Sequence, residues 1–156
     1  MNAQILLLKA NIDADLAEIT KLYDCLAAYS QPLNTTEQAI LAGYYLHNLY
    51  TVFENISLNV AKTFENQIDD KSQWHSVLLK RMTLEIEGIR PCLYSLETYQ
   101  CLDELRRFRH IFRNAYSISL DPIRVRLVVS SAQQLKELYS DDIRRFKSFL
   151  DSMRTD

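Results

Sequence analysis

Residues 107–116 read RFRHIFRNAY. Arg107, Arg109 and Arg113 share this stretch with His110, Asn114 and Tyr116, interleaved with Phe108, Ile111, Phe112 and Ala115. A guanidinium is a planar fork of donors that matches phosphate oxygens. An imidazole exchanges protons near neutral pH. Side chains of these types, brought to one face, suit the binding of a phosphodiester and the movement of a proton beside it.

A helical wheel at about 100° per residue sorts the stretch into two arcs. Cys101, Leu105, Phe108, Phe112 and Ala115 share the apolar arc. Arg106, Arg109, His110, Arg113 and Asn114 project from the polar one with Ser117, and Tyr116 lies at the border close to Arg109. Six arginines face three acids (Asp103, Glu104 and Asp121) between 103 and 126. Like charges at i, i+4, such as Arg109 and Arg113, cost a helix a few tenths of a kcal/mol. Two readings offset that cost. One is ion pairing with acids on neighbouring helices. The other is a phosphate site.

The rest of the chain must position this face. There are only 2 glycines and 3 prolines in 156 residues, so turns are few and long helices are expected. Ile5, Leu8, Ile12, Leu16, Ile19, Tyr23 and Leu26 recur at helical spacing and predict a first helix ending near Gln31-Pro32. Asn34, three residues before Glu37, predicts the cap of a second helix from about Thr35 to Ile68. Its stripe is Leu49, Val52, Phe53, Ile56, Val60 and Phe64. Asp70 and Gln73 predict the start of a shorter third helix with Trp74, Leu78 and Met82. The glycine and proline of EGIRPC (87–92) interrupt the pattern. A fourth helix is expected from Ser95 through Leu102, Leu105, Phe108 and Phe112 to Ala115. Asp121-Pro122 is a cap followed by proline at the first helical position, which opens a fifth helix carrying Val125, Val128, Ala132, Leu135, Leu138, Ile143, Phe146 and Phe149. The expected fold is all-α: an up-and-down bundle of four to five helices, forming one domain over 1–156.

Composition narrows the function. A net charge of −2 argues against a general nucleic-acid coat but leaves room for a local basic site. Cys25, Cys92 and Cys101 have no metal-ligand spacing and read as reduced thiols filling the core. No metal site, no cofactor and no glycine-rich phosphate loop are expected. The first residues lack the basic flank of a signal peptide, and no apolar run approaches the roughly 20 residues of a membrane span. A cytoplasmic location is the expectation. His47 reads as a core or capping residue, Trp74 as a packing anchor and His75 as exposed.

In sequence order, LHNLY (46–50), WHSVLLKRM (74–82), GIRP (88–91), LRRFRH (105–110), RNAY (113–116) and LDP (120–122) resemble the HEPN superfamily. Within it the likeness is to the HepT-like toxins of bacterial pairs whose antitoxin is a minimal nucleotidyltransferase, abbreviated MNT. That family's motif is R-x4-H-x-Y on a late helix. Here Arg109 and Tyr116 fit, and Asn114 stands in the histidine slot. The resemblance implies a metal-independent endoribonuclease that acts as a homodimer, with both motifs lining one cleft. It assigns phosphate stabilisation to Arg109, and to Tyr116 a place at the cleft edge and AMP modification by the partner; Arg106 and Arg113, on the same polar arc, are the expected further phosphate-binding residues.

Asparagine cannot carry a proton, and losing a general acid or base costs roughly 10²–10⁴ in rate. Either His110, one turn before Asn114, takes that role while Asn114 orients the substrate, or the domain is catalytically silent. A silent domain would bind RNA or present a substrate to a nucleotidyltransferase. A third reading is a structural bundle whose arginines only make ion pairs.

Overall fold

The computed structural model describes residues 2–65, 74–115 and 119–153. It contains five α-helices: α1 (Asn2–Leu26), α2 (Thr36–Phe64), α3 (Trp74–Arg81), α4 (Leu96–Arg113) and α5 (Pro122–Ser152). A short 3-10 turn, Ala27–Tyr29, follows α1. Among the described residues the only β feature is an isolated bridge between Ile86 and Arg90. The fold is an all-α bundle of the expected kind.

The apolar stripes explain the packing. Ile5, Leu8, Ile12, Ile19, Tyr23 and Leu26 of α1 are buried, as are Leu46, Leu49, Phe53, Ile56 and Val60 of α2. Helix α2 packs against α1, α3, α4 and α5, so it is the axis of the core. Helix α5 supplies Val125, Val129, Ala132, Leu135, Ile143 and Phe146 to the same core. Each Val, Leu, Ile or Phe among them contributes about 1.5–3 kcal/mol when fully buried. Of the three cysteines only Cys101 is buried; Cys92 is half-buried and Cys25 exposed, so the core-filler reading holds for one of them.

Several boundaries differ from expectation. Helix α1 yields to the 3-10 turn at Leu26, before Gln31-Pro32. The cap of α2 is Thr35, not Asn34: Thr35 Oγ1 accepts from the Gln38 N–H, and Gln38 Oε1 accepts from the Asn34 N–H. Gln38 thus bonds to the cap and to the residue before it, and the cap sits one residue later than expected. The predicted end of α2 at Ile68 and the start signals Asp70 and Gln73 lie outside the described residues. Helix α4 ends at Arg113, so Asn114 is its C-cap and Ala115 lies beyond it.

Two anchors fix α4 and α3. The Ser95 N-cap accepts from the Thr98 N–H, while its own N–H and hydroxyl donate to the buried Asp142 of α5 at 2.9 and 3.0 Å. The α3–α4 connection is held by Arg90, which is almost fully buried. Arg90 donates to the Glu65 carboxylate at the end of α2 and to the carbonyls of Leu84 and Pro91. A buried guanidinium with its donors satisfied behaves as a structural tie. Gly88 supplies the positive φ of 74° needed by the turn between the two bridge residues.

Helices α2 and α4 approach closely at Gly43. A Cβ there would stand 2.8 Å from Phe112 Cε2 and 3.2 Å from Phe108 Cζ. The missing side chain lets the polar arc of α4 sit beside the polar residues of α2.

Candidate functional site

Helix α4 carries Arg106, Arg109, His110 and Arg113 at three- and four-residue steps, so they share one face. Helix α2 contributes Tyr50 and Glu54, also one turn apart, and α3 contributes His75 from its first turn. Tyr50, His75, Arg106, Arg109, His110, Arg113 and Asn114 line an open cavity of about 470 Å³. The structure therefore brings together every residue expected at the site except Tyr116, which lies outside the described residues, as does Ser117.

Glu54 is the hub. Its side chain is only 9% exposed, in a helix whose buried positions are mostly apolar. One oxygen, Oε1, accepts from Arg109 Nη1 at 2.8 Å. The other, Oε2, lies 2.6 Å from His75 Nδ1. A carboxylate that accepts from a guanidinium has only acceptors to offer the ring, so His75 Nδ1 is the donor. Arg109 also lies over the Tyr50 ring, 5.5 Å from its centroid. Its Nε is buried without a hydrogen-bond partner. Burial pushes the Tyr50 phenol well above its usual range, and the Glu54 charge beside it adds to the shift. Tyr50 is therefore a neutral wall under the guanidinium.

The other cations differ in how they are held. Arg106 pairs with Asp103 one turn back, at 2.9 Å, and Arg107 shares the same carboxylate. Arg113 is exposed and has no ion pair among the described residues. His110 is exposed on the same face. The expectation of ion pairing with a neighbouring helix holds for Arg109. For Arg113 it does not, and the cavity keeps an unneutralised cation at its rim. Asn114 donates from Nδ2 to the His110 carbonyl at 2.8 Å, and its backbone N–H caps the end of α4. Its amide is thus partly engaged in ending the helix, with Oδ1 left over.

His47 stands close by. It is half-buried, its ring centroid is 5.7 Å from that of Phe112, and Nδ1 meets Asn48 Oδ1 at 3.3 Å. Burial lowers its pKa; the Asn48 bond opposes this, and the Arg109 and Arg113 charges add to the lowering. It is a packing residue near the site rather than part of its lining.

Three participants were not expected: Tyr50, Glu54 and His75. Glu54 had a readable signal. A carboxylate one turn after Tyr50, between Phe53 and Ile56 on the buried stripe, needs a cationic partner. His75, expected to be exposed, is half-buried and bonded. Its place depends on how α3 docks against α2 and α4, which no local pattern encodes. Among the described residues no group of three or more His, Cys, Asp or Glu side chains is placed to hold a metal ion. No described helix is long and apolar enough to cross a membrane.

The model of a family described as HepT-like protein matches residues 41–150, well over half of the chain. That span contains all of the cavity lining. No curated protein and no solved structure matches the chain.

Proposed function

Since the chain belongs to the HepT-like family of the HEPN superfamily, we propose that it is the toxin of a two-component pair, a metal-independent endoribonuclease held in check by a minimal nucleotidyltransferase antitoxin. The observation that carries this reading is the cavity on α4. It combines the exposed Arg113, the pinned Arg109 and the exposed His110 on one face. Guanidinium groups fixed before substrate arrives stabilise a charged phosphorane without reorganising at the moment of reaction. Arg106 and Arg113 take the flanking phosphate oxygens and Arg109 the scissile one. His110 carries a proton, and Asn114 Oδ1 orients the ribose.

The site works in a homodimer whose two copies pair their α4 helices. An apolar groove adjoins the site along α4 and the start of α5. Ile111 and Leu127 lie exposed there. Ile111 follows His110 directly, so a second copy seated on this groove sets both cavities on one RNA backbone. The partner enzyme silences the toxin by transferring AMP to Tyr116, two residues past the α4 cap. The added phosphate then competes with RNA for the arginines.

A second reading has one observation in its favour. Asn114 cannot transfer a proton, and its amide is engaged with the His110 carbonyl. On that reading the domain is silent and presents a substrate to its nucleotidyltransferase. Purified chain incubated with defined RNA in the presence of a chelator separates the two. Cleavage by wild type that is lost in both Arg109→Ala and Arg113→Ala supports the ribonuclease. Intact RNA with wild type, and cleavage gained only in Asn114→His, supports the silent domain.

A further inference from the structure

The site holds a second imidazole, and its setting differs from that of His110. His75 reaches the cavity from α3 and makes one hydrogen bond among the described residues, from Nδ1 to Glu54 Oε2 at 2.6 Å. Glu54 is itself fixed, because Oε1 is held by Arg109 and the side chain is almost fully buried. Trp74 packs against the imidazole with ring centroids 3.8 Å apart. The ring is thus constrained by a carboxylate at one nitrogen and an indole on its face. A carboxylate at Nδ1 fixes the tautomer in which Nδ1 carries the hydrogen and Nε2 keeps its lone pair. The same carboxylate stabilises the imidazolium that forms when Nε2 takes a proton.

From this geometry we infer that His75 is the general base of the site, with Glu54 as its positioning residue. The inference rests on the ribonuclease reading above. His75 Nε2 takes the proton of the ribose 2′-OH. The 2′ oxygen forms a bond to phosphorus and the bond from phosphorus to the 5′ oxygen breaks. The departing 5′ oxygen receives a proton from His110, which lines the same cavity and has no carboxylate partner among the described residues. The products are a 2′,3′-cyclic phosphate and a 5′-hydroxyl, and both histidines return to their starting states by exchange with water. Asparagine in the motif's histidine slot is then no loss, because the second proton-transfer group comes from another helix. Glu54 couples the two halves of the chemistry: one oxygen aims the phosphate-binding guanidinium and the other aims the base.

The test uses the full-length chain and an RNA oligonucleotide, with an uncleavable 2′-deoxy analogue as the binding probe. His75→Gln and His75→Ala are expected to lose roughly 10²–10⁴ in cleavage rate while binding the analogue as wild type does. Added imidazole should restore cleavage to His75→Ala and leave Arg113→Ala unchanged. Glu54→Gln should lower kcat with little change in KM. Wild type active with both His75 variants equally active overturns the base assignment and leaves the ribonuclease standing. Activity lost in His75→Ala together with analogue binding, and not restored by imidazole, assigns His75 a structural role and also overturns it. Wild type inactive on every RNA removes the ribonuclease reading, and the base assignment falls with it.

Discussion

Glu54 and Arg109 stand 55 positions apart in the chain and meet at 2.8 Å in the half-dry space between α2 and α4. The pair joins the two helices that build the cavity. It also decides how the central arginine is presented, since the guanidinium is held by one edge and lies over the Tyr50 ring.

Removing one member of this pair should be costly. Both side chains are mostly buried, at 9% and 14% exposure, and an uncompensated charge in such a place costs about 3–5 kcal/mol. Glu54→Ala should lower stability to denaturant by an amount in that range. The double variant Glu54→Leu with Arg109→Met should recover most of the loss, because two apolar groups leave no charge stranded. Urea melts of the single and the double variant check this; equal losses in both would show that stranding one charge costs little.

His47 gives a pH-dependent prediction. Its pKa in the folded chain lies below the ordinary value of about 6.5, first because it is buried. Below about pH 6.5 the unfolded chain therefore binds more protons at this residue than the folded chain does. The stability linked to His47 is intact above that pH and declines as pH falls through the window beneath it. The charges facing it are Arg109, Arg113 and Glu54. His47→Gln should flatten this part of the profile. Thermal melts from pH 5 to 7.5 should show wild type losing ground to the variant on acidification; a constant difference would contradict it.

Much of the fold was legible because its signals are local. The stripes of α1, α2 and α5 follow from residue spacing, and the caps Ser95 and Asp121 are where the side chains announce them. The face of α4 was legible for the same reason: Arg106, Arg109, His110 and Arg113 are close in sequence, so helix geometry alone groups them. What opposes that face is a matter of tertiary docking. Glu54 inside an apolar stripe signals a need for a cation but not which one, and His75 reads as exposed, because nothing local joins α2 or α3 to α4. The shift of the α2 cap from Asn34 to Thr35 is a smaller lesson: both residues can cap, and Gln38 chose between them.

The dimer is expected to depend on the apolar groove beside the site. Light scattering at micromolar concentration should give the mass of two copies. Ile111→Glu combined with Leu127→Glu places charges on the exposed apolar positions and should yield monomers that have also lost cleavage. A wild-type monomer, with or without its partner, would rule out the shared cleft.

Control by modification predicts a defined mass change. Incubation with the partner nucleotidyltransferase and ATP should add AMP in single steps, and Tyr116→Phe should block the addition. Unchanged mass beside a demonstrably active partner enzyme would reject the assignment of Tyr116.

On the proposed reading this cavity cleaves RNA through the substrate's own 2′-hydroxyl. The most direct measurement is the chemistry of the product ends, from an oligonucleotide cut in the presence of a chelator. Attack by the 2′-hydroxyl leaves a 2′,3′-cyclic phosphate on one fragment and a 5′-hydroxyl on the other, with no cut when the ribose at the cleaved position is replaced by 2′-deoxyribose. A 5′-phosphate product, cleavage that survives the 2′-deoxy substitution, or no cleavage of any RNA would contradict it.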